Sequence, residues 1–324
     1  RRIIVVTIGS MNMGVPGVCM IVAEIGINHN GDLELAKKLI DMAVTAGCNA
    51  VKFQKRDIPT TYSVSDLAKP RVVPKDMIEL ALKRGVLPDE NRKRLSSMGL
   101  EETTNGDQKW ALELTHDEYA EIDQYCKAKN ILWFASPWDE PSVDFLEQFD
   151  LPCHKIASAS LTDDSLLRHI RSTGRPIILS TGMADLEMIR HAVDVVGTKD
   201  LVLLHCTSVY PTFQQGGTDR GLSLINLRGI ETLRDTFPGV PIGFSSHDLG
   251  IQPSYAAAVL GACMIEKHVT LWRGMYGSDQ GASIEPEALT SLVRMIRELP
   301  TVLGDGQIVF YPEEREVAEK LRRA

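Results

Sequence analysis

Several features that would assign a protein to a special class are absent from this chain of 324 residues. It has no apolar run that approaches the ~20 residues of a membrane-spanning helix. It has no excess of basic residues, and its net charge of −8 argues against a nucleic-acid surface and against binding to anionic membranes. Internal repeats and low-complexity segments are also missing. These absences indicate an ordinary globular protein whose functional site is local.

The cysteines are also widely spaced. They stand at positions 19, 48, 126, 153, 206 and 263, and no pair has the C-x-x-C spacing of a zinc or redox motif. Five of them lie within or beside apolar runs. Buried, reduced thiols in a cytoplasmic protein are the interpretation that this pattern favours.

The chain does contain a regular alternation of short apolar runs and helix-like stretches. The runs occupy residues 21–26, 48–54, 131–136, 153–158, 176–181, 201–207, 241–247 and 263–268. Near-continuous apolar runs are typical of strands buried on both faces, and their alternation with helices indicates a parallel sheet. The eight units predict an α/β protein of the (β/α)8 class, a closed TIM barrel.

Two segments depart from this alternation. Residues 55–115, after the second run, form a long insertion. It is predicted to be either a lid over the barrel mouth or a surface insertion that does not contact the site. Residues 1–20 have a basic start and a short apolar run, and they are interpreted as a leader or an extra strand. The catalytic domain is therefore expected to span residues 21–324, with the insertion inside it.

In a (β/α)8 barrel the carboxyl ends of the strands carry the chemistry, and here those ends are polar. Alternation predicts that His247 and His268 point inwards from neighbouring strands, with Glu266 beneath them. Lys52 and Lys155 are expected across the barrel. Two imidazoles suit a Mn, Fe, Co or Zn ion, and two lysines suit phosphate and carboxylate groups.

Taken singly, each of these residues has another interpretation. A strand histidine can be a hydrogen-bonded core residue, and a strand-end lysine can be a solvated charge at the rim. Two lysines in one barrel can also belong to a Schiff-base aldolase. The whole set is harder to explain as structural, because charged residues are almost never buried unpaired.

Eight motifs at these strand ends carry a family resemblance. They are AEIGINHNG (23–31), VKFQ (51–54), KIAS (155–158), ILSTGM (178–183), LLHCTSVYP (203–211), GFSSHDLG (243–250), GACMIEKHVT (261–270) and GSDQGASIEP (277–286). In this order they resemble the N-acetylneuraminate (sialic acid) synthases. The resemblance implies a barrel that condenses phosphoenolpyruvate with an N-acylated hexosamine, typically N-acetylmannosamine, to give a nine-carbon 2-keto acid and phosphate. It also implies a divalent metal cofactor, Mn²⁺ first, with Mg²⁺ or Co²⁺ as alternatives.

The resemblance assigns roles motif by motif. The implied metal ligands are His247 and His268, with Glu266 as a supporting acid beside the metal. The implied catalytic residues are Glu24, Lys52, Lys155 and Asp279. The implied substrate-binding residues are Gln54, Ser136, Ser158, Ser180, Ser208, Tyr210 and Ser245, to which the insertion adds Asn105. His205 matches the family's LHCT run, and both a structural and a functional role stay open for it.

The sequence also differs from the family pattern. Ser246 and Asp248 flank His247 where members commonly carry aspartate and threonine, and Ser208 stands where some members have asparagine. Typical members append a small domain that supplies an arginine to the partner's sugar site, and no such domain is expected here. The insertion is therefore predicted to cover the sugar and to supply its polar contacts, for which it carries Arg56, Lys69, Arg71, Asn105 and Lys109. An Asn-Gly turn at Asn105 is expected to dip towards the metal.

The sequence thus predicts a metal-dependent, carbon–carbon bond-forming transferase of sialic acid biosynthesis. Its expected partners are phosphoenolpyruvate, an amino sugar and further copies of itself in a homo-oligomer. One alternative is a related synthase that acts on a phosphorylated or non-acylated aldose. The other is a barrel that binds a sugar or phosphoenolpyruvate without turnover, although a binding module does not need all of the residues assigned above.

Overall fold

The computed structural model describes residues 4–209 and 219–322 of the chain. Its strands are β1 (Val6–Ile8), β2 (Met11–Met13), β3 (Met20–Gly26), β4 (Ala50–Lys55), β5 (Leu132–Pro137), β6 (His154–Ile156), β7 (Ile177–Ser180), β8 (Leu201–Cys206), β9 (Ile242–Ser246) and β10 (Met264–His268). Strands β3 to β10 form one parallel sheet in the order β5-β4-β3-β10-β9-β8-β7-β6. The two end strands, β5 and β6, lie beside each other, so the sheet curls into a barrel. The predicted (β/α)8 architecture is confirmed.

The helices surround this barrel. They are α1 (Leu33–Ala46), α2 (Ile58–Thr61), α3 (Val64–Leu67), α4 (Lys75–Arg84), α5 (Asp89–Met98), α6 (Asn105–Leu112), α7 (His116–Ala128), α8 (Glu140–Leu146), α9 (Asp164–Ser172), α10 (Leu186–Val196), α11 (Asp219–Ser223), α12 (Gly229–Thr236), α13 (Gln252–Val259), α14 (Pro286–Leu303) and α15 (Arg315–Leu321). The ends of α1 are set by local sequence. Asp32 caps its start, and Gly47 ends it with a φ of 85°, a conformation that glycine adopts without strain. Its apolar face packs Leu39 and Ile40 into the core that joins helices to strands.

Strands β1 and β2 form an antiparallel hairpin apart from the barrel sheet. The side chains of Val6, Ile8 and Met13 are fully buried and pack with Met20 and Val22 of β3. Met20 stands at the start of β3, so the hairpin covers the amino end of the barrel. That end is closed by apolar packing, and access to the barrel interior is from the opposite end.

The insertion after β4 is helical over much of its length and contains α2 to α6. It has a small apolar core of its own, in which Ile78, Leu95 and Ala111 are buried together. Tyr276, from the segment between β10 and α14, is half-buried against this core. The insertion is therefore a packed unit that also contacts the segment after β10 at the barrel mouth.

The turn predicted at Asn105 is wrong, because this residue begins α6. Thr104 caps the helix, and Asp107 at the third helical position accepts a hydrogen bond back from the Thr104 backbone. Threonine followed three residues later by an acidic residue is a recognised capping pattern. Here the capping pattern determines the local conformation and overrides the turn preference of the Asn-Gly pair.

The helices at the end of the chain differ in burial. Helix α14, of 18 residues, buries Leu289, Leu292 and Ile296 against the barrel, whereas α15 buries none of its residues. In the parts of the chain that the structure describes, no helix has both the length and the apolar character needed to cross a membrane.

Candidate active site

A cavity of about 150 Å³ opens at the carboxyl ends of the barrel strands. Most of the residues predicted from the sequence line it: Glu24, Lys52, Gln54, Ser136, Lys155, Ser158, Ser180, Ser208, Ser245, His247, Glu266 and His268. The parallel register explains this convergence, since it sets His268 beside Glu24 and Glu24 beside Lys52 across three neighbouring strands. Alternation turns these side chains into the barrel and directs Val51 and Phe53 into the surrounding apolar core.

Two lysines and two glutamates form a buried charge network in the cavity. The Lys52 Nζ lies 3.1 Å from Glu24 Oε2 and 3.4 Å from Glu266 Oε1. The Lys155 Nζ donates to Ser180 Oγ at 2.7 Å and lies 3.8 Å from Glu266 Oε1. None of the four charged side chains is more than 7% exposed. Such burial is tolerated because each charge has an opposite charge close by.

The two carboxyl groups have pKa values that are pushed apart. Burial raises the pKa of Glu24 to about 7, and the Lys52 ammonium opposes this only in part. Burial acts on Glu266 in the same direction, but Lys155 and Lys52 outweigh it and lower the Glu266 pKa to about 2. Glu24 can therefore hold or release a proton near neutral pH, whereas Glu266 remains a fixed negative charge.

The two lysines also differ in their pKa values. Burial lowers the pKa of Lys155 to about 8, against the opposing effect of Glu266. Burial also acts to lower the pKa of Lys52, but Glu24 and Glu266 outweigh it, and the net direction is upward. Lys52 is therefore a constant cation, and Lys155 is a cation that an incoming anion would stabilise further.

The two imidazoles stand at one side of the cavity, with ring centroids 5.4 Å apart. The His247 Nδ1 lies 3.1 Å from the carbonyl oxygen of Thr207. Because a carbonyl oxygen only accepts hydrogen bonds, this contact places the proton on Nδ1, and Nε2 would be the atom that binds a metal. Burial lowers the pKa of His268 to about 3, so its ring is neutral, which is the form that binds metals. These residues fit a divalent metal ion.

Residues 4–209 and 219–322 hold no cluster of three or more histidine, cysteine or acidic side chains arranged around one metal position. The two imidazoles would therefore supply only part of a coordination shell. The remaining positions would be taken by water or by oxygen atoms of a substrate, as in catalytic metal sites, whereas structural sites are closed by protein ligands.

The insertion residue Asn105 is not among the residues that line the cavity. Its Oδ1 accepts from Arg71 Nη1 at 3.2 Å, and its Nδ2 donates to the Asp66 carbonyl at 3.2 Å. The side chain thus links α6 to neighbouring parts of the insertion. Its assignment as a sugar contact remains a prediction. Tyr210, another predicted sugar contact, lies outside the described residues.

Asp279 and His205 also lie apart from the cavity lining. Asp279 Oδ1 accepts from Ser278 Oγ at 2.8 Å, and its charge acts on the pKa of His268, so it stands near that imidazole. His205 Nε2 lies 2.9 Å from the Ile225 carbonyl, and its ring packs on Phe244. The contacts of His205 are those of a structural residue.

Trp138 is a site residue that the sequence analysis missed, whereas Arg56 was expected only as one of the polar residues of the insertion. Trp138 lines the cavity, and the Arg56 guanidinium stacks 3.9 Å above its ring centroid. Arg56 Nη2 donates to Gln54 Oε1 at 2.6 Å, and Gln54 Nε2 donates to Glu24 Oε1 at 2.9 Å. A signal was available for Arg56, because Lys52, Gln54 and Arg56 recur with the period of one strand face.

A buried ion pair outside the cavity holds the backbone around both histidines. Lys267 directly precedes His268, and its Nζ donates to Asp248 Oδ1 at 2.7 Å and to Ser246 Oγ at 3.2 Å. The side chains of Lys267 and Asp248 are 1% and 0% exposed. Since Ser246 and Asp248 flank His247, one ammonium group ties the end of β9 to β10. The Asp248 carboxylate, which departs from the family pattern, therefore pairs outside the cavity.

The NeuB family profile matches residues 39–308. The N,N'-diacetyllegionaminic acid synthase of Legionella pneumophila is 35% identical over 313 residues, which cover 94% of this chain and 79% of that protein. The N-acetylneuraminate-9-phosphate synthase of Homo sapiens is 33% identical over 308 residues, which cover 94% of this chain and 77% of that protein.

A solved structure gives the same result for the fold. The N-acetylneuraminic acid (sialic acid) synthetase of Leptospira borgpetersenii serovar Hardjo-bovis, crystallised in complex with citrate, superposes with a TM-score of 0.72 at 31% identity. The match covers 99% of this chain and 98% of that one. This protein therefore belongs to the NeuB family and is related to the synthases of sialic and legionaminic acids.

Proposed function

We propose that the protein condenses phosphoenolpyruvate with an N-acylated hexosamine of the N-acetylmannosamine kind. The products would be a nine-carbon 2-keto sugar acid and inorganic phosphate. The observation that carries this proposal is the buried network of two lysines and two carboxyl groups with separated pKa values, next to the paired imidazoles. Such a site can bind an anion, move a proton and hold a metal within one cavity.

Lys52 and Lys155 would bind the phosphate and carboxylate of phosphoenolpyruvate. The Ser136 and Ser180 hydroxyls contact these ammonium groups at 3.2 and 2.7 Å, so each lysine is held in place before the substrate arrives. Charge-assisted hydrogen bonds from both sides would fix the orientation of the enol. The C3 carbon of the enol would then lie within reach of the second substrate. Holding both substrates in this geometry converts a bimolecular step into an effectively unimolecular one.

His247 and His268 would hold the divalent metal, with Mn²⁺ as the first choice. When bound, the metal supplies a Lewis acid for the aldehyde oxygen of the open-chain sugar. Gln54 would contact the sugar, a role supported by the position of its amide between Glu24 and Arg56. The sugar would thus lie between the histidines and the insertion.

Glu24 and Glu266 would divide the proton and charge chemistry. Attack of the enol C3 on the aldehyde carbon forms the new carbon–carbon bond and leaves positive charge at C2. Ionised Glu266, fixed by a 3.1 Å hydrogen bond from Ser245 Oγ, would stabilise that charge. Protonated Glu24 would give its proton to the former aldehyde oxygen. Addition of water at C2 and departure of phosphate then leave the 2-keto group.

Phosphate release is the direct test of this function. With phosphoenolpyruvate, Mn²⁺ and a panel of hexosamines, we expect release that depends on an N-acylated hexosamine and is greatly slowed in Glu24→Gln. Glu187→Gln, which alters an exposed acid on α10, is the matched control and should keep the parent rate. Release only with non-acylated aldoses would favour the related synthase, and binding without any release would favour the non-catalytic barrel.

Lys155→Met is expected to weaken phosphoenolpyruvate binding while the barrel stays folded. The substitution removes one charge-assisted contact to a buried anion, which is worth about 1.5–3 kcal/mol, or roughly a 10- to 150-fold rise in Kd. Calorimetric titration of phosphoenolpyruvate measures this directly. Lys199→Met, at an exposed position, should bind as the parent does. Unchanged affinity in Lys155→Met would remove this lysine from the proposed substrate site.

A further inference from the structure

The segment between β10 and α14, residues 269–285, is anchored to the cavity at its two ends. The backbone amide of Ile284 donates to the His268 carbonyl oxygen at 2.9 Å, and the amide of Val269 donates to the Glu24 carbonyl oxygen at 3.0 Å. His268 and Glu24 both line the cavity. The segment is therefore hydrogen-bonded directly to the backbone of the candidate site.

Buried polar groups fix the middle of this segment to the barrel. The Asp279 carbonyl oxygen accepts from Ser283 Oγ at 2.6 Å, and Ser283 Oγ accepts from Asn28 Nδ2 at 2.8 Å. The next residue, Gln280, donates from Nε2 to the Asn28 carbonyl oxygen at 3.1 Å. Asn28, Gln280 and Ser283 are no more than 1% exposed. Breaking these bonds would leave buried polar groups unsatisfied, so they hold the Asp279 backbone firmly.

Tyr276 joins the same segment to the insertion. Its hydroxyl donates to the Val72 carbonyl oxygen at 3.1 Å, and it accepts from Gln108 Nε2 at 3.1 Å and from Arg71 Nε at 3.5 Å. A phenol hydroxyl has one hydrogen to donate and two lone pairs, so its bonding capacity is fully used here. The Tyr276 ring packs against the apolar core of the insertion. One side chain therefore contacts two separate parts of the insertion, residues 71–72 and α6.

Tyr276 and Asp279 lie close together within the segment, since two residues separate them. Gln280 connects them, because its Nε2 also donates to the Tyr276 carbonyl oxygen at 3.4 Å. The Gln280 Oε1 in turn accepts from Thr270 Oγ1, so this short stretch is tied back to the start of the segment. Burial lowers the pKa of His268 and the Asp279 charge opposes this, which is consistent with an Asp279 carboxylate near that imidazole. A displacement at Tyr276 would therefore be transmitted to Asp279.

We propose that Tyr276 is a positioning residue, through which the insertion holds Asp279 where the amino sugar binds. The inference rests on the proposed function, in which the sugar lies between the histidines and the insertion, and on the predicted catalytic role of Asp279. Phosphoenolpyruvate would be bound by Lys52 and Lys155, whose ammonium groups are held by serines of other strands. Tyr276 should therefore affect the sugar and leave phosphoenolpyruvate unaffected.

Tyr276→Phe is expected to lower kcat/KM for N-acetylmannosamine by about 5- to 30-fold, mainly through a higher KM. The substitution removes the hydrogen bonds of the hydroxyl and keeps the ring in the insertion core. KM for phosphoenolpyruvate should stay at the parent value. Tyr125→Phe is the matched control, because it removes a 2.8 Å hydrogen bond to Asp41 on the outer helices and should keep the parent constants. Equal losses for both substrates in Tyr276→Phe would indicate a general loosening of the fold and would overturn the positioning role.

A double-mutant cycle with Asp279→Asn tests the route of this effect. It is measured as kcat/KM and as calorimetric affinity for N-acetylmannosamine, so that an inactive variant can still be compared. If Tyr276 acts through Asp279, adding Tyr276→Phe to Asp279→Asn should cause no further loss. Losses that simply add would contradict the proposal, because Tyr276 would then act independently of Asp279.

The calorimetric arm also separates this inference from the proposed function. If the parent releases no phosphate with any hexosamine, the proposed function is wrong. Weaker binding of N-acetylmannosamine in Tyr276→Phe, with no such change in the Asp279→Asn background, would still support the positioning role. Parent affinity in Tyr276→Phe, or no binding of the sugar by the parent protein, would overturn the inference as well.

Discussion

Replacing His268 by alanine is expected to abolish turnover and to weaken binding of divalent metal, with the barrel still folded. The reason is the convergence of His247 and His268 at the ends of neighbouring strands, where they are the two imidazoles available to a metal. A Lewis acid at the reacting carbonyl contributes several kcal/mol, so the rate should fall by about a thousandfold or more. Titration with Mn²⁺ and metal analysis by atomic spectroscopy measure the binding loss independently of activity.

The controls for this prediction use other histidines. His247→Ala should behave as His268→Ala does, since each imidazole supplies one ligand atom. His191→Ala, at an exposed position on α10, should bind metal and turn over as the parent does. Circular dichroism would show whether each variant is folded. A double His247→Ala, His268→Ala protein that still carries one metal ion per chain would contradict the assignment.

Lys267→Met is expected to lower the free energy of unfolding by about 3–5 kcal/mol. The substitution keeps the length of the side chain but leaves the Asp248 carboxylate, which is 0% exposed, without its cation. Breaking a buried pair on one side is costly because the remaining charge stays desolvated. Denaturant unfolding followed by circular dichroism measures the change. Metal affinity should fall as well, since the pair ties down the backbone on both sides of His247.

Two further variants test this explanation. Lys75→Met removes the cation of an exposed pair with Glu79 and should lower the stability by no more than about 1 kcal/mol. Adding Asp248→Asn to Lys267→Met removes the buried charge and should recover part of the lost stability. The explanation fails if the double variant is less stable than Lys267→Met alone, because the stranded carboxylate would then not be the cause.

Much of the candidate site could be predicted from the spacing of residues in the sequence. Alternation along a strand correctly predicted that Lys52 and Gln54 share one face, and that Glu266 and His268 share another. Parallel strands place their carboxyl ends at one rim, so residues far apart in the chain were expected to meet. The same period extends to Arg56, which the sequence analysis assigned to the insertion because the apolar run ends at Gln54.

Other features of the site depend on tertiary contacts that the spacing of residues in the sequence does not reveal. The different pKa values of Glu24 and Glu266 arise from their distances to two lysines on other strands. The pairing of Asp248 with Lys267 requires knowledge of which face of β10 the lysine occupies and what packs there. The helix at Asn105 follows from a capping pattern that was present in the sequence but was outweighed in the prediction by the Asn-Gly pair.

The sequence by itself determined the (β/α)8 fold, the family and the set of polar strand ends, because these follow from local periodicity and from motifs of consecutive residues. Only the tertiary structure decided which charges touch, how far each is buried and where the insertion lies. Burial and Coulomb energy depend on distance in space and on the exclusion of water, and neither is a property of neighbouring positions in the chain.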